Sequence, residues 1–172
     1  MSSSSLLSSA RRSLLLALLG WPLAGFATTA FPPGMSRWGR GEYRYFGFLV
    51  YEATLWAADD PLRPPLALRL DYKRSIAGHD IARASIKAMR PLLADAAPLA
   101  DWQARMAAIF PDVSDGDHIL GVWQGDAVSF HQGERLLGRV QDAAFARAFF
   151  GIWLDEKTRE PELRAALLRR AA

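Results

Sequence analysis

Cysteine is missing from all 172 residues, and that absence removes disulfides, thiolate metal sites and thiol nucleophiles together. Histidine is scarce. His79, His118 and His131 do not cluster in sequence and no H-E-x-x-H pair exists, so a histidine metal site would need the fold to join distant residues. No G-x-S-x-G elbow is present. Gly39 and Gly41 open no strand–turn–helix unit, which removes the dinucleotide fingerprint. Asp112, Asp115 and Asp117 lack the spacing and the bidentate Glu of a calcium loop, and they read as a turn. No metal and no cofactor is expected.

Long apolar runs are almost as scarce, and the single one has a purpose. Residues 1–27 hold a Ser-rich start, Arg11 and Arg12, an apolar stretch from Leu14 to about Ala24, and small residues Gly25 and Ala27 before a cut. The stretch is shorter than the ~20 residues that span a bilayer, so it reads as a cleaved signal peptide. Arg11-Arg12-Ser13-Leu14 loosely resembles a twin-arginine signal, and paired arginines also occur in ordinary secretory leaders. The mature protein is expected to be periplasmic or otherwise exported, with no stable membrane span. Charge imbalance goes with the leader: 21 Lys plus Arg stand against 18 Asp plus Glu, and loss of Arg11 and Arg12 leaves 19 against 18. Nothing in that balance asks for nucleic acid or an anionic membrane surface.

About 145 residues remain, enough for one domain held by its core alone. Residues 28–37 form a Thr/Pro/Gly-rich leader, and 38–172 the domain. Tyr43–Trp56 (YRYFGFLVYEATLW) is dense in aromatic and β-branched residues and reads as one long strand or a bent pair. Its nearly all-apolar middle, Phe46–Val50, is the pattern of a strand covered on both faces, and Gly47 marks a bulge or a close approach. Leu66–Lys73 alternates as a second strand. Gly78–Met89 is helical, with Ile81, Ala82, Ser85, Ile86 and Met89 on one side and His79, Arg83, Lys87 and Arg90 on the other. Pro98–Phe110 is a second helix. Three short strands follow (118–123, 127–131 and 136–140), separated by turns at Gly116, Gly125 and Gly133. Helices 143–154 and 161–169 close the chain. The sum is an α+β fold, an antiparallel sheet with helices layered on one face.

Candidate site residues lie on the first strand region and the first helix. Arg44 and Tyr51 both donate hydrogen bonds and together make a clamp for a carboxylate or enolate oxygen. Seven residues apart in strict alternation they face opposite sides, so only a bulge unites them; otherwise Arg44 is a solvated strand end and Tyr51 is core. Arg83, Lys87 and Arg90 make a basic helix face, either anion-binding or simply wet. Trp102, Trp123 and Trp153 read as core.

These residues carry a resemblance. GRGEYRYFGFLVYEATLW (39–56), Asp71-Tyr72-Lys73-Arg74, the Gly116-Asp117 turn and FARAFFGIWL (145–154) are similar, in order and spacing, to bacterial chalcone-isomerase-like proteins across residues 38–170. The resemblance implies an open-faced sandwich of antiparallel sheet and helices. Plant enzymes of this family close a chalcone to a flavanone with an arginine, a threonine, a tyrosine and a lysine; related plant proteins carry fatty acids and hold the carboxylate with an arginine and a tyrosine. Arg44 matches the family arginine, one residue later than in the plant pattern. Tyr51 stands at the position where the binders have tyrosine and the enzymes threonine. Arg83 stands at the enzymes' lysine and Lys87 at their asparagine. Asp80 stands at the catalytic tyrosine and cannot replace a phenol, and Ala148 stands where a hydroxyl is common. The implied function is non-catalytic binding of a small apolar anion such as a fatty acid, through Arg44 and Tyr51 with Arg83 and Lys87 in support. The alternatives are an intramolecular lyase or isomerase acting on an enone or phenol, and an envelope protein acting through partners.

Overall fold

Alternating apolar and polar residues, interrupted by glycine turns, build the sheet of this chain, for which a computed structural model describes residues 31–93 and 97–169. The segment read as a signal peptide lies outside the described residues. Six strands run β1 (Ser36–Tyr45), β2 (Phe48–Ala57), β3 (Leu66–Tyr72), β4 (His118–Gln124), β5 (Ala127–Gln132) and β6 (Arg135–Gln141). They pair in chain order, every neighbour antiparallel. Four helices, α1 (Gly78–Met89), α2 (Leu99–Ile109), α3 (Ala143–Leu154) and α4 (Pro161–Leu168), complete the fold. α1 and α2 leave the sheet between β3 and β4, and α3 and α4 follow β6. The α+β architecture expected from the sequence is the one observed.

The core lies between the helices and one face of the sheet. Ala53, Leu55, Leu66, Leu68 and Val128 from the strands meet Ile86, Met89, Trp102, Met106, Phe145 and Phe149 from the helices, as period-2 strands and amphipathic helices demand. Phe145 stacks on Phe149 at 5.6 Å, with Phe130 edge-on to Phe149 at 5.1 Å. α3 is apolar on almost every side because it is buried against both sheet and helices. Asp142 starts it: one carboxylate oxygen accepts the N–H groups of Ala144 and Phe145 at 2.8 and 3.0 Å, and the other accepts the Trp102 indole N–H at 2.9 Å. On the opposite sheet face a small cluster of Ala67, Leu120 and Val122 is covered by Phe31, Met35 and Trp56.

Two features differ from the sequence expectation. Residues 43–56 are a pair of strands rather than one, and what separates them is no gentle bend but a tight hairpin turn at Phe46-Gly47, both with positive φ (47° and 80°). The apolar run 46–50 is therefore not covered on both faces: Phe46 is 83% and Phe48 61% exposed. An apolar turn imitates a buried strand when only hydropathy is counted. β1 also starts at Ser36, inside the stretch read as a leader, because Trp38 is drawn into the core. Its indole N–H donates to the Leu168 carbonyl at 3.1 Å, tying β1 to α4.

Candidate functional site

The turn and a register shift decide which side chains share a face. From Phe46-Gly47 the pairing runs Tyr45 with Phe48 and Arg44 with Leu49, and then skips Val50, so that Tyr43 opposes Tyr51. β3 adds Tyr72 opposite Tyr51. The bulge thus creates a row of three tyrosines across three strands, facing the helices. Tyr43 stacks on Tyr51 at 4.9 Å, and Tyr72 meets Tyr51 edge-on at 6.0 Å. Neither Tyr43 nor Tyr72 stands out in the sequence, since the row exists only once the register is known. The readable signal was a tyrosine near the end of each of three successive strands.

This row floors a cavity of about 560 Å³ between sheet and helices. Val50, Leu70 and Ile119 continue its floor, Ile81, Ser85 and Ala88 of α1 form one wall, and Phe149, Ile152 and Trp153 of α3 another. Thr158, Arg159 and Glu160, between α3 and α4, close one end. The lining is mainly apolar, and the volume falls within the about 300–1,000 Å³ of small-molecule sites.

The polar groups are few and placed. Trp153 donates its indole N–H to the Tyr51 hydroxyl at 3.0 Å, which fills an acceptor site of the phenol and leaves its proton to donate. Tyr72 is 2% exposed, and its hydroxyl bonds to no group among the described residues. Burial raises the pKa of both far above the ordinary phenol value. Tyr43 is raised too, by burial first and then by the nearby Glu160 carboxylate. All three are hydrogen-bond donors at neutral pH, not phenolates. Burial, helped by Glu162, raises the pKa of Glu160 as well.

The structure distributes the four sequence candidates unevenly. Arg44, Tyr51 and Lys87 all line the cavity. The guanidinium of Arg44 is nevertheless held by the Glu42 carboxylate at 2.8 and 3.0 Å and by the Gly47 carbonyl at 3.2 Å. No hydrogen bond joins it to Tyr51: the skipped Val50 sets Tyr43 opposite Tyr51, while Arg44, two residues from Glu42 on the same strand, shares a face with that carboxylate. Arg83 lies outside the lining and is paired with Asp80. Lys87 and Arg159 line the cavity with no ion pair among the described residues. Arg159 gave no signal in sequence, since its place depends on how α4 returns to β1.

A family model described as chalcone isomerase-like matches residues 44–169. The chain belongs to the chalcone isomerase-like family. A protein of Haemophilus influenzae, described as uncharacterized, is 30% identical over 133 residues, 76% of this chain and 66% of that protein. The crystal structure of a fatty-acid binding protein from Arabidopsis thaliana superposes with a TM-score of 0.65, covering 80% of this chain and 88% of that one at 11% identity. At that identity the likeness concerns the fold. Within the family fold, the cavity occupies the space between the sheet and the α1 and α3 layer. No helix among the described residues is long and apolar enough to cross a membrane.

Proposed function

We propose that this chain is an exported binding protein whose cavity encloses a small apolar anion, with a fatty acid as the best-fitting class. The observation that carries the reading is a 560 Å³ apolar cavity bordered by the exposed cations Lys87 and Arg159, neither in an ion pair among the described residues, and lined by Tyr72, whose hydroxyl has no partner among them. An alkyl chain fits the floor of Val50, Leu70 and Ile119, and a carboxylate is a strong acceptor for ammonium, guanidinium and phenol donors. Tyr51 donates beside Tyr72, and Arg44, already shared with Glu42, supports from the edge, while Arg83 stays outside the lining with Asp80. The likeness to a fatty-acid binding fold agrees with this.

Native mass spectrometry of the protein as its cell processes it, followed by denaturation, tests the reading. The expected result is one bound acid per chain, weakened about tenfold or more in Lys87→Ala/Arg159→Ala, the cost of losing charge-assisted hydrogen bonds. A protein that stays empty after incubation with fatty acids of several lengths would refute it. A second reading, an isomerase acting on an enone or phenol, draws on the tyrosine row, since three neutral phenols could stabilise an enolate oxygen. Chalcone turnover at the uncatalysed rate would count against that version.

A further inference from the structure

The β1–β2 turn goes against the usual chemistry of such turns. A two-residue loop with positive φ at both positions takes Asn, Asp or Gly at the first. Here that position is Phe46, at φ 47°. A left-handed phenylalanine is strained, and the strain is not offset inside the fold, because the ring is 83% exposed. Its neighbours are similar: Tyr45 is 56% and Phe48 61% exposed. Tyr45 and Phe46 meet edge to face at 4.5 Å, and the Arg74 guanidinium lies 4.7 Å from the centre of the Phe48 ring. Three of the five exposed large apolar side chains among the described residues thus crowd one turn.

We propose that this turn docks on a lipid bilayer, with its rings at the headgroup boundary and Arg74, which lies against the Phe48 ring, at the phosphates. The shape favours lipid over protein. A single turn presents far less than the roughly 800 Å² per partner of a stable protein interface, whereas aromatic rings flanked by arginine match the membrane–water boundary. The position agrees: Arg44 and Tyr45 belong both to the turn region and to the cavity lining, so docking sets the cavity against the bilayer. On the fatty-acid reading, the same contact delivers or collects the ligand; the docking itself does not depend on what the cavity holds.

Flotation with vesicles of phosphatidylcholine and phosphatidylglycerol, with no added ligand, tests the proposal. The comparison is with Phe46→Asn/Phe48→Thr, which gives the turn a residue suited to positive φ and the strand a β-branched one, so its melting temperature is expected to equal or exceed that of the unaltered protein. The unaltered protein is expected to float with the vesicles, and the variant to bind about tenfold more weakly or not at all, as loss of two buried rings implies. Both carry the same N-terminus, so attachment through that segment would be equal in the two. Equal flotation of the two proteins would overturn the proposal, as would no flotation of either. A dimer seen by sedimentation, lost in the variant and unaccompanied by vesicle binding, would overturn it in favour of a second copy. Because no ligand is present, a failure here leaves the cavity's function untouched, and an empty cavity leaves the docking intact.

Discussion

Asp142 shows how much one side chain can hold. Its carboxylate caps α3 and receives the indole proton of the fully buried Trp102. Burial works against its charge, yet these hydrogen bonds outweigh it and hold the carboxyl below the usual range. Asp142→Ala removes a cap and strands a buried donor, an expected loss of about 2–4 kcal/mol in urea unfolding. Phe46 is the opposite case. Phe46→Asn places a residue tolerant of the left-handed region there, and chemical denaturation is expected to show a gain of up to about 1 kcal/mol. At the cavity, Tyr72→Phe is a cleaner probe than Tyr51→Phe. Loss of the Tyr51 hydroxyl also strands the Trp153 N–H, at about 1–3 kcal/mol. Tyr72 has no such duty, so its variant is expected to lower affinity for an acid, read by calorimetry, with the melting temperature nearly unchanged.

Among the elements, legibility followed the range of the interactions. α1 and α3 were readable to the residue, α1 because a periodic apolar face is a local signal and α3 because its apolar run follows directly on the last strand. The meander β4–β6 was readable because glycine turns at 116, 125 and 133, all with positive φ, punctuate it. The first hairpin was hidden, because its turn residues, Phe46 and Gly47, do not resemble a turn. The misreading reached the site: without the turn there is no register, and without the register Tyr43, Tyr51 and Tyr72 cannot be placed in one row. The contact between β1 and α4 was hidden for a similar reason. Gly39 lets the end of α4 lie against the strand, and a Cβ there would collide with the carbonyl oxygens of Ala166 and Leu167. Gly39→Ala is expected to cost about 1–3 kcal/mol. The loss should appear in thermal unfolding, with Trp38 fluorescence reporting the displaced helix.

Across the whole molecule, charge and pH act mainly through a few groups. Glu52 is held low by hydrogen bonds from Lys73 and Arg40, and Asp142 by its own hydrogen bonds. A depressed carboxylate contributes stability above its unfolded pKa, and that contribution is lost as pH falls through the folded value. His118 and His131 are depressed by burial, His118 further by Arg69, so they favour the neutral form and cost stability once pH drops below the ordinary imidazole value of 6.5. Glu160, raised by burial, acts in the opposite sense and gains as it protonates. The urea midpoint is expected to fall between about pH 7 and pH 4, and Glu160→Gln to steepen that fall by removing the opposing group.

The strands pair in chain order throughout, but one connection between neighbours is long, and it concerns how the cavity opens. Between β3 and β4 the chain makes a long excursion through α1 and α2, yet its two ends meet: Ile76 and Val113 exchange backbone hydrogen bonds, and Asp112 accepts the N–H of Gly78 at 2.8 Å. The excursion therefore has a closed neck, and its helices hang from the sheet like a flap from a seam. Lifting that flap breaks packing and the Trp102–Asp142 hydrogen bond but no strand ladder, which makes it a subglobal event cheaper than unfolding the sheet. A cavity walled by α1 can then exchange its contents while β2, β3 and β4 stay zipped. In hydrogen exchange, α1 amides would be lost sooner than those of β3, and a bound acid would slow the former far more than the latter.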